Sequence, residues 1–249
     1  MIALNSLTGL KNHLQRIAGR NANSVWEVLV NEMKKHYVLF RNWMKKQIQS
    51  ADSKVLSRIY GHDRGWVFTP SHFQDLGSRT AIGLALMRHT KTGTIRRLAI
   101  GLYDYPRQHP KLGTLNPAAD AIAKALAGRD ATRLQPAGGY AANLLGLSDQ
   151  VPMKVVFLTD GATRNVRVGQ QNIVLKRTTP KNMATAGRVS GLVMQALRHL
   201  GRRNVDDNII TRLRQRLSTA DKQQLLKDRI YAPSWIADMV NRIARPEQS

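Results

Sequence analysis

The residues of this chain that could do acid–base or metal chemistry are few and scattered. Asp160-Gly161 follows the apolar run Val155-Val156-Phe157-Leu158. A carboxylate at such a strand end could serve catalysis, but Asp-Gly is also a favoured turn pair, and a hairpin turn explains it more simply. Asp206-Asp207 is a paired carboxylate standing where a helix needs an N-cap. The seven histidines, His62, His72, His89, His109 and His199 among them, form neither a His-Glu-x-x-His motif nor a two-histidine-plus-carboxylate set. There is no Gly-x-Ser-x-Gly elbow and no Walker loop, and Gly138-Gly139 is too bare for a phosphate loop. With no cysteine, disulfides and cysteine-ligated zinc are excluded. The expectation is a non-enzyme with no metal and no cofactor.

Charge is the informative property. The 249 residues hold 39 Lys+Arg against 16 Asp+Glu, a formal charge of +23 and a pI near 11.2. Such an excess opposes compaction unless a polyanion accepts it, and nucleic acid is the commonest polyanion partner. An anionic membrane surface or an acidic protein is the rival. Segments 1–43, 44–107 and 108–249 carry 6, 11 and 22 basic residues against 2, 4 and 10 acidic ones, so the middle segment is densest in positive charge. Hydrophobic residues make up 42%, enough for a real core. No apolar run approaches the ~18 residues of a membrane helix, and the N-terminus lacks a basic region ahead of a long apolar run. A cytoplasmic protein without a membrane partner is expected.

The elements that position the basic residues follow from pattern. In 1–43, Leu4, Leu7, Leu10, Leu14 and Ile17 recur at helical steps. Ser24 to Glu27 has capping-box spacing before Val28, Leu29, Met33 and Tyr37, which predicts a helical extension. In 44–107, a helix from about Trp43 to Tyr60 places Ile48, Val55, Leu56 and Ile59 inward. Trp66 to Phe68 is a short strand. Thr69-Pro70 starts a short helix carrying Phe73 and Leu76. Gly77 stops it and Ser78 caps a helix over Arg79–Thr90, with Ile82, Ala85, Leu86 and His89 buried. Lys91-Thr92-Gly93 turns the chain into strands Thr94–Leu98 and Ala99–Tyr105. This order is that of a winged helix-turn-helix, whose second helix enters the major groove while the hairpin forms a wing. Arg79, Thr80, Gly83 and Met87 then face outward, and Arg96 and Arg97 lie on the wing, suited to phosphates or a narrow minor groove. A winged helix used only for protein interaction is the bland alternative.

In 108–249, Pro106, Pro110 and Pro117 mark a linker. Helices are predicted over Asp120–Ala127 and Tyr140–Leu145, a strand over Val155–Leu158, and a hairpin of Asn165–Val168 and Asn172–Lys176 around Gly169. Helices follow over Asn182–Leu200, Val205–Leu217, Thr219–Lys227 and Ser234–Ala244. The fold class is therefore α+β: a helical extension, a winged helix-turn-helix, and a C-terminal α+β domain with a small sheet and a helical tail. Arg198, Arg202, Arg203, Arg212, Arg214 and Arg216 are either a solvated surface or a patch for RNA or an acidic protein.

Several stretches, taken in order, carry a family resemblance. They are WVFTPSHFQDLGSR (66–79), GTIRRL (93–98), GLYDYP (101–106), LQPAGGYAANLLGL (134–147), VFLTDG (156–161) and KRTTPKNM (176–183). Together they resemble the AbiEi family of antitoxins, from type IV toxin–antitoxin and abortive-infection systems. The resemblance spans roughly 44–244 and leaves 1–43 without a counterpart. It implies a winged helix that binds the system's own promoter as an autorepressor, and a C-terminal domain that counters a nucleotidyltransferase-like toxin. The DNA contacts it implies are Ser71 and His72 on the short helix, Ser78, Arg79, Thr80 and Arg88 on or beside the recognition helix, and Lys91, Arg96 and Arg97 around the wing. It assigns no toxin-neutralising residues; the candidates for antitoxin function are polar or aromatic residues inside the shared stretches, Gln135, Tyr140, Asn143, Arg177, Thr178 and Asn182, whose alternative reading is turn and cap chemistry. The partners implied are double-stranded DNA and the toxin; a dimer on DNA is one arrangement the sequence leaves open. Two other readings stand beside it. One is a transcription regulator whose C-terminal domain senses a ligand, marked by a deep apolar pocket. The other is a nucleic-acid-processing enzyme, marked by clustered carboxylates that hold Mg²⁺.

Overall fold

The computed structural model describes residues 50–128 and 132–245, and residues 30, 31, 33, 34 and 36–38 of an earlier helix. The stripe from Leu4 to Ile17, the Ser24 capping box, Val28, Leu29 and Ile48 lie outside the described residues. Met33 and Tyr37 are helical and exposed. The chain forms two compact units, Met1–Lys54 and Val55–Ser249. Among the described residues no helix is long and apolar enough to cross a membrane.

The second unit opens with the predicted order. Helix α1 is Ala51–Tyr60 and strand β1 is Val67–Phe68. A 3-10 turn, Pro70–Phe73, follows Thr69, whose backbone is extended. Proline's fixed φ suits a first helical position, and His72 Nδ1 closes the turn by accepting from the Thr69 amide at 3.2 Å. Helix α2, Arg79–Lys91, starts at Ser78, whose hydroxyl accepts from the Ala81 amide at 3.2 Å, and ends before Gly93 at φ +74°. Strands β2 (Arg96–Ala99) and β3 (Leu102–Asp104) complete an antiparallel sheet of order β1-β3-β2. Val55, Ile59, Phe68, Phe73, Ile82, Ala85, Leu86 and Ile95 form its core.

The proline-marked stretch contains a small hairpin, β4 (Gln108–His109) with β5 (Gly113–Thr114). Helix α3 is Ala119–Ala127. Then come β6 (Leu134–Ala137), α4 (Gly138–Leu144), β7 (Lys154–Thr159), β8 (Arg164–Val168) and β9 (Gln171–Arg177). Helices α5 (Pro180–Met183), α6 (Val189–Leu200), α7 (Asp207–Arg216), α8 (Thr219–Asp228) and α9 (Ser234–Ala244) end the chain. The fold is α+β, as the pattern predicts.

Three details differ from expectation. Strand β6 contains Pro136 and was not anticipated; it is an edge of the sheet β6-β7-β9-β8, where a missing amide is tolerated. Asp160-Gly161 is not a hairpin turn, because β7 pairs in parallel with β9, and β8 pairs only with β9. The helix expected over Asn182–Leu200 is broken into α5 and α6 around Gly187 at φ +80°, a conformation foreign to a helix.

Strands β1 and β3 of the wing sheet are covered on both sides. Strand side chains alternate between faces, so Phe68 and Tyr103 face the winged-helix core while Val67 and Leu102 face the other way. There they share one cluster with Ile122, Ala123 and Leu126 of α3 and with Val155, Phe157, Ile173 and Leu175 of the larger sheet. The boundary expected at 107/108 is thus crossed by a common core. A further cluster joins α4 to the helical tail. The tail is tied down where Asp228 accepts from Arg188 at 2.8 Å and from the Ser190 hydroxyl at the start of α6.

Gly191 marks the tightest approach in this region. A Cβ there would meet the Thr185 carbonyl oxygen and lie 2.5 Å from Gln135 Oε1. Alanine is the better helix former by ~1 kcal/mol, yet Gly191→Ala is expected to destabilise by roughly 1–3 kcal/mol through overpacking. Urea denaturation checks this, and an unchanged or raised midpoint refutes it.

Candidate nucleic-acid interface

Helix α2 divides cleanly into two faces. Ile82, Ala85, Leu86 and His89 are buried. Arg79, Thr80, Gly83, Leu84, Met87, Arg88 and Lys91 are exposed, and their three- and four-residue spacing makes one stripe. Arg79 and Thr80 sit at the helix N-terminus and make no side-chain hydrogen bond among the described residues. The middle of the stripe is low, since a Cβ on Gly83 would meet nothing within 4 Å. The outward set read from sequence stands, with Leu84 added to it.

Ser71, His72 and Ser78 have local duties. The Ser71 hydroxyl lies 2.7 Å from Thr69 Oγ1. His72 closes the 3-10 turn and meets Trp66 edge-on, ring centroids 5.8 Å apart. Ser78 caps α2. Arg58 of α1 holds this turn from below: its guanidinium pairs with both Asp75 oxygens at 2.7 and 2.6 Å and donates to the His72 carbonyl. Together these contacts set the angle at which α2 leaves the turn.

The wing corrects one expectation. The Arg96 side chain does not stand free on the wing but is paired within the fold. Its Nε and Nη2 pair with Asp104 at 3.1 and 2.6 Å, and Nη2 also donates to the Leu115 carbonyl at 2.9 Å. Asp104 is 1% exposed, so this arginine neutralises a buried carboxylate. Arg97, one residue on, faces solvent beside a bulge that separates it from Ala99. At the tip, Ile100 is 91% exposed and Gly101 takes φ +70°. Sequence reasoning missed Asp104 as the partner; the one signal is that it shares a strand face with Leu102, two residues earlier.

The residues considered for antitoxin function do not converge. Gln135 is 1% exposed; its Nε2 donates to the Pro136 carbonyl and its Oε1 finds no partner among the described residues. The Tyr140 hydroxyl donates to Asp120 on α3, and burial together with that bond pushes the phenol well above its ordinary pKa. Asn143 donates to the Ser148 and Gln150 carbonyls at 3.1 and 3.2 Å, closing the loop after α4. Asn182 donates to Thr178 Oγ1 at 2.9 Å and accepts from Arg198 at 3.2 Å, while the Arg177 side chain is exposed. Only Arg177, Thr178 and Asn182 share a place, at the end of β9. Among the ion pairs that the sequence pattern does not reveal, one stands at the end of β7. Arg133 donates to Asp160 through its amide and Nε, at 2.9 and 2.8 Å, and the side-chain bond holds Asp160 below the usual carboxylate range. Among the described residues no three potential metal-ligating side chains gather.

The two wing arginines are separable by experiment. Arg96→Ala strands a buried carboxylate and is expected to cost about 3 kcal/mol of stability, at the low end for a broken buried pair. Arg97→Ala is a surface change and should stay within about 0.5 kcal/mol. Equal effects in chemical denaturation would refute the assignment.

No curated protein matches the sequence. The crystal structure of the RV2827C protein from Mycobacterium tuberculosis is similar over 78% of this chain and 76% of that one, at 16% identity and a TM-score of 0.42. The model of a family of unknown function, DUF6088, matches residues 54–225, well over half the chain and including the whole of α2 and the wing, and the chain therefore belongs to the DUF6088 family.

Proposed function

We propose that this chain is a DNA-binding antitoxin that represses its own promoter and counters a nucleotidyltransferase-like toxin. The observation that carries the DNA half is the exposed stripe of α2, with Arg79 and Thr80 at its N-terminus and Arg88 and Lys91 toward its end. In this reading α2 enters the major groove, where residues at the helix N-terminus meet base edges. Arg97 lies on the adjoining backbone, and the hairpin tip reaches the neighbouring groove. The formal charge of +23 supports fast, salt-dependent association with a polyanion. The antitoxin half rests on the AbiEi resemblance in 134–147, 156–161 and 176–183, and the reading places the protein in the cytoplasm.

Fluorescence anisotropy tests the first half with the duplex upstream of its own coding sequence and a shuffled duplex of equal length. Wild type is expected to prefer the native duplex, and Arg79→Ala to lose that preference. Arg97→Ala should weaken both duplexes and reduce the salt slope by about 1. Equal, salt-labile binding of wild type to both would leave a generic basic surface and overturn the repressor reading. Growth rescue tests the second half: co-expression with an adjacent nucleotidyltransferase-like toxin should restore growth, and continued arrest removes the antitoxin assignment.

A further inference from the structure

The outward stripe of α2 is charged at its ends and apolar in its middle. Leu84 and Met87, three residues apart, are 44% and 58% exposed, and Gly83 leaves open space beside them. The core beneath is closed by Ile82, Ala85 and Leu86, and Leu84 and Met87 are not part of it. Hydrocarbon held in water is unfavourable, and a leucine and a methionine on one exposed face call for an occupant with apolar points of its own. Arg79 and Lys91 flank the apolar patch, which suits an occupant that is also anionic. The DNA major groove combines these properties: phosphates along its rims and, at each thymine, a C5-methyl group on its floor.

We infer that Leu84 and Met87 read thymine C5-methyl groups, with Gly83 allowing α2 to lie deep enough for them to reach. The inference rests on the DNA-binding reading above and adds the base feature recognised. A side chain at Gly83 would fill the low point of the stripe and lift the helix from the groove floor. The polar residues work beside them: Arg79 and Thr80 meet base edges at one end, and Lys91 meets phosphates at the other. The apolar pair supplies discrimination between thymine and a base without the methyl group.

The test uses the full chain and removes the methyl from the DNA. Duplexes are enriched by the protein from a randomised pool, and the recovered duplex is synthesised with thymine or with deoxyuracil. Wild type is expected to enrich a motif containing thymine and to bind the deoxyuracil form roughly fourfold more weakly per methyl contacted, the value of burying one such group. The double variant Leu84→Ala/Met87→Ala should bind the two forms alike. Both positions are exposed, and an unchanged melting temperature confirms that the variant is folded. Equal binding of both forms by wild type overturns the inference. Discrimination retained by the double variant also overturns it, by moving the effect to DNA shape. Recovery of DNA with no enriched sequence overturns the repressor reading and the inference with it, and recovery of no DNA at all removes the DNA-binding reading itself, as expected if this face meets a protein.

Discussion

Asp104 is the constraint around which the winged helix is arranged. It lies on the middle strand of a three-stranded sheet and is almost completely excluded from water. A buried carboxylate is tolerable only when paired and hydrogen-bonded, and Arg96 does both, while its third bond captures the Leu115 carbonyl from beyond β5. That single pairing fixes several things at once. It sets the β2–β3 register, in which Arg96 stands opposite Asp104. It turns Arg96 inward, so alternation along the strand turns Arg97 outward. It also holds the proline-rich segment against the sheet, so this stretch does not behave as a free linker.

The sheet in turn is a shared wall. Phe68 and Tyr103 serve the winged-helix core, and Val67 and Leu102 serve the core that follows it. A wing on an isolated domain pays for its ordering when it meets DNA, whereas this one is already held on both faces. Preorganisation of that kind lowers the entropic cost of binding. Helix α2 is fixed by a comparable device, in which Arg58, Asp75 and the His72 carbonyl lock the preceding turn to α1. The surface presented by α2 and Arg97 is therefore rigid because of contacts that lie beneath it.

Much of this was legible in the sequence, and the failures have physical causes. The Ser78 cap, the Gly93 stop and the apolar spacing of Ile82, Ala85, Leu86 and His89 are local signals, and α2 follows them closely. Gly169 marked the turn between β8 and β9 for the same reason. Which of Arg96 and Arg97 turns inward depends instead on a partner eight residues away and on a bulge. Strand β6 owes its existence to pairing with β7, some twenty residues on, and Pro136 argues against a strand until its edge position is known. The polar residues of 135–182 stand out in the sequence by type alone. The fold uses most of them to close loops and caps, which the type alone does not reveal.

The same logic explains where the positive charge is left. Acidic side chains are few, and five of them stand at joints between elements: Asp75 with Arg58, Asp104 with Arg96, Asp160 with Arg133, Asp207 with Arg242, and Asp228 with Arg188. Each uses one arginine as a structural clip. With 39 basic residues against 16 acidic ones, the surplus must face solvent, and Arg164, Arg167, Arg202, Arg203, Arg212 and Arg216 do so in the C-terminal half. Screening confines a direct contribution from an exposed charge to about 8–10 Å at ordinary ionic strength. Charges farther than that from a bound duplex act on approach and hardly on hold, raising the encounter rate with a polyanion without specifying its sequence. Sequence preference then has to come from the short stripe on α2, where charge flanks hydrocarbon and the backbone at Gly83 lies open.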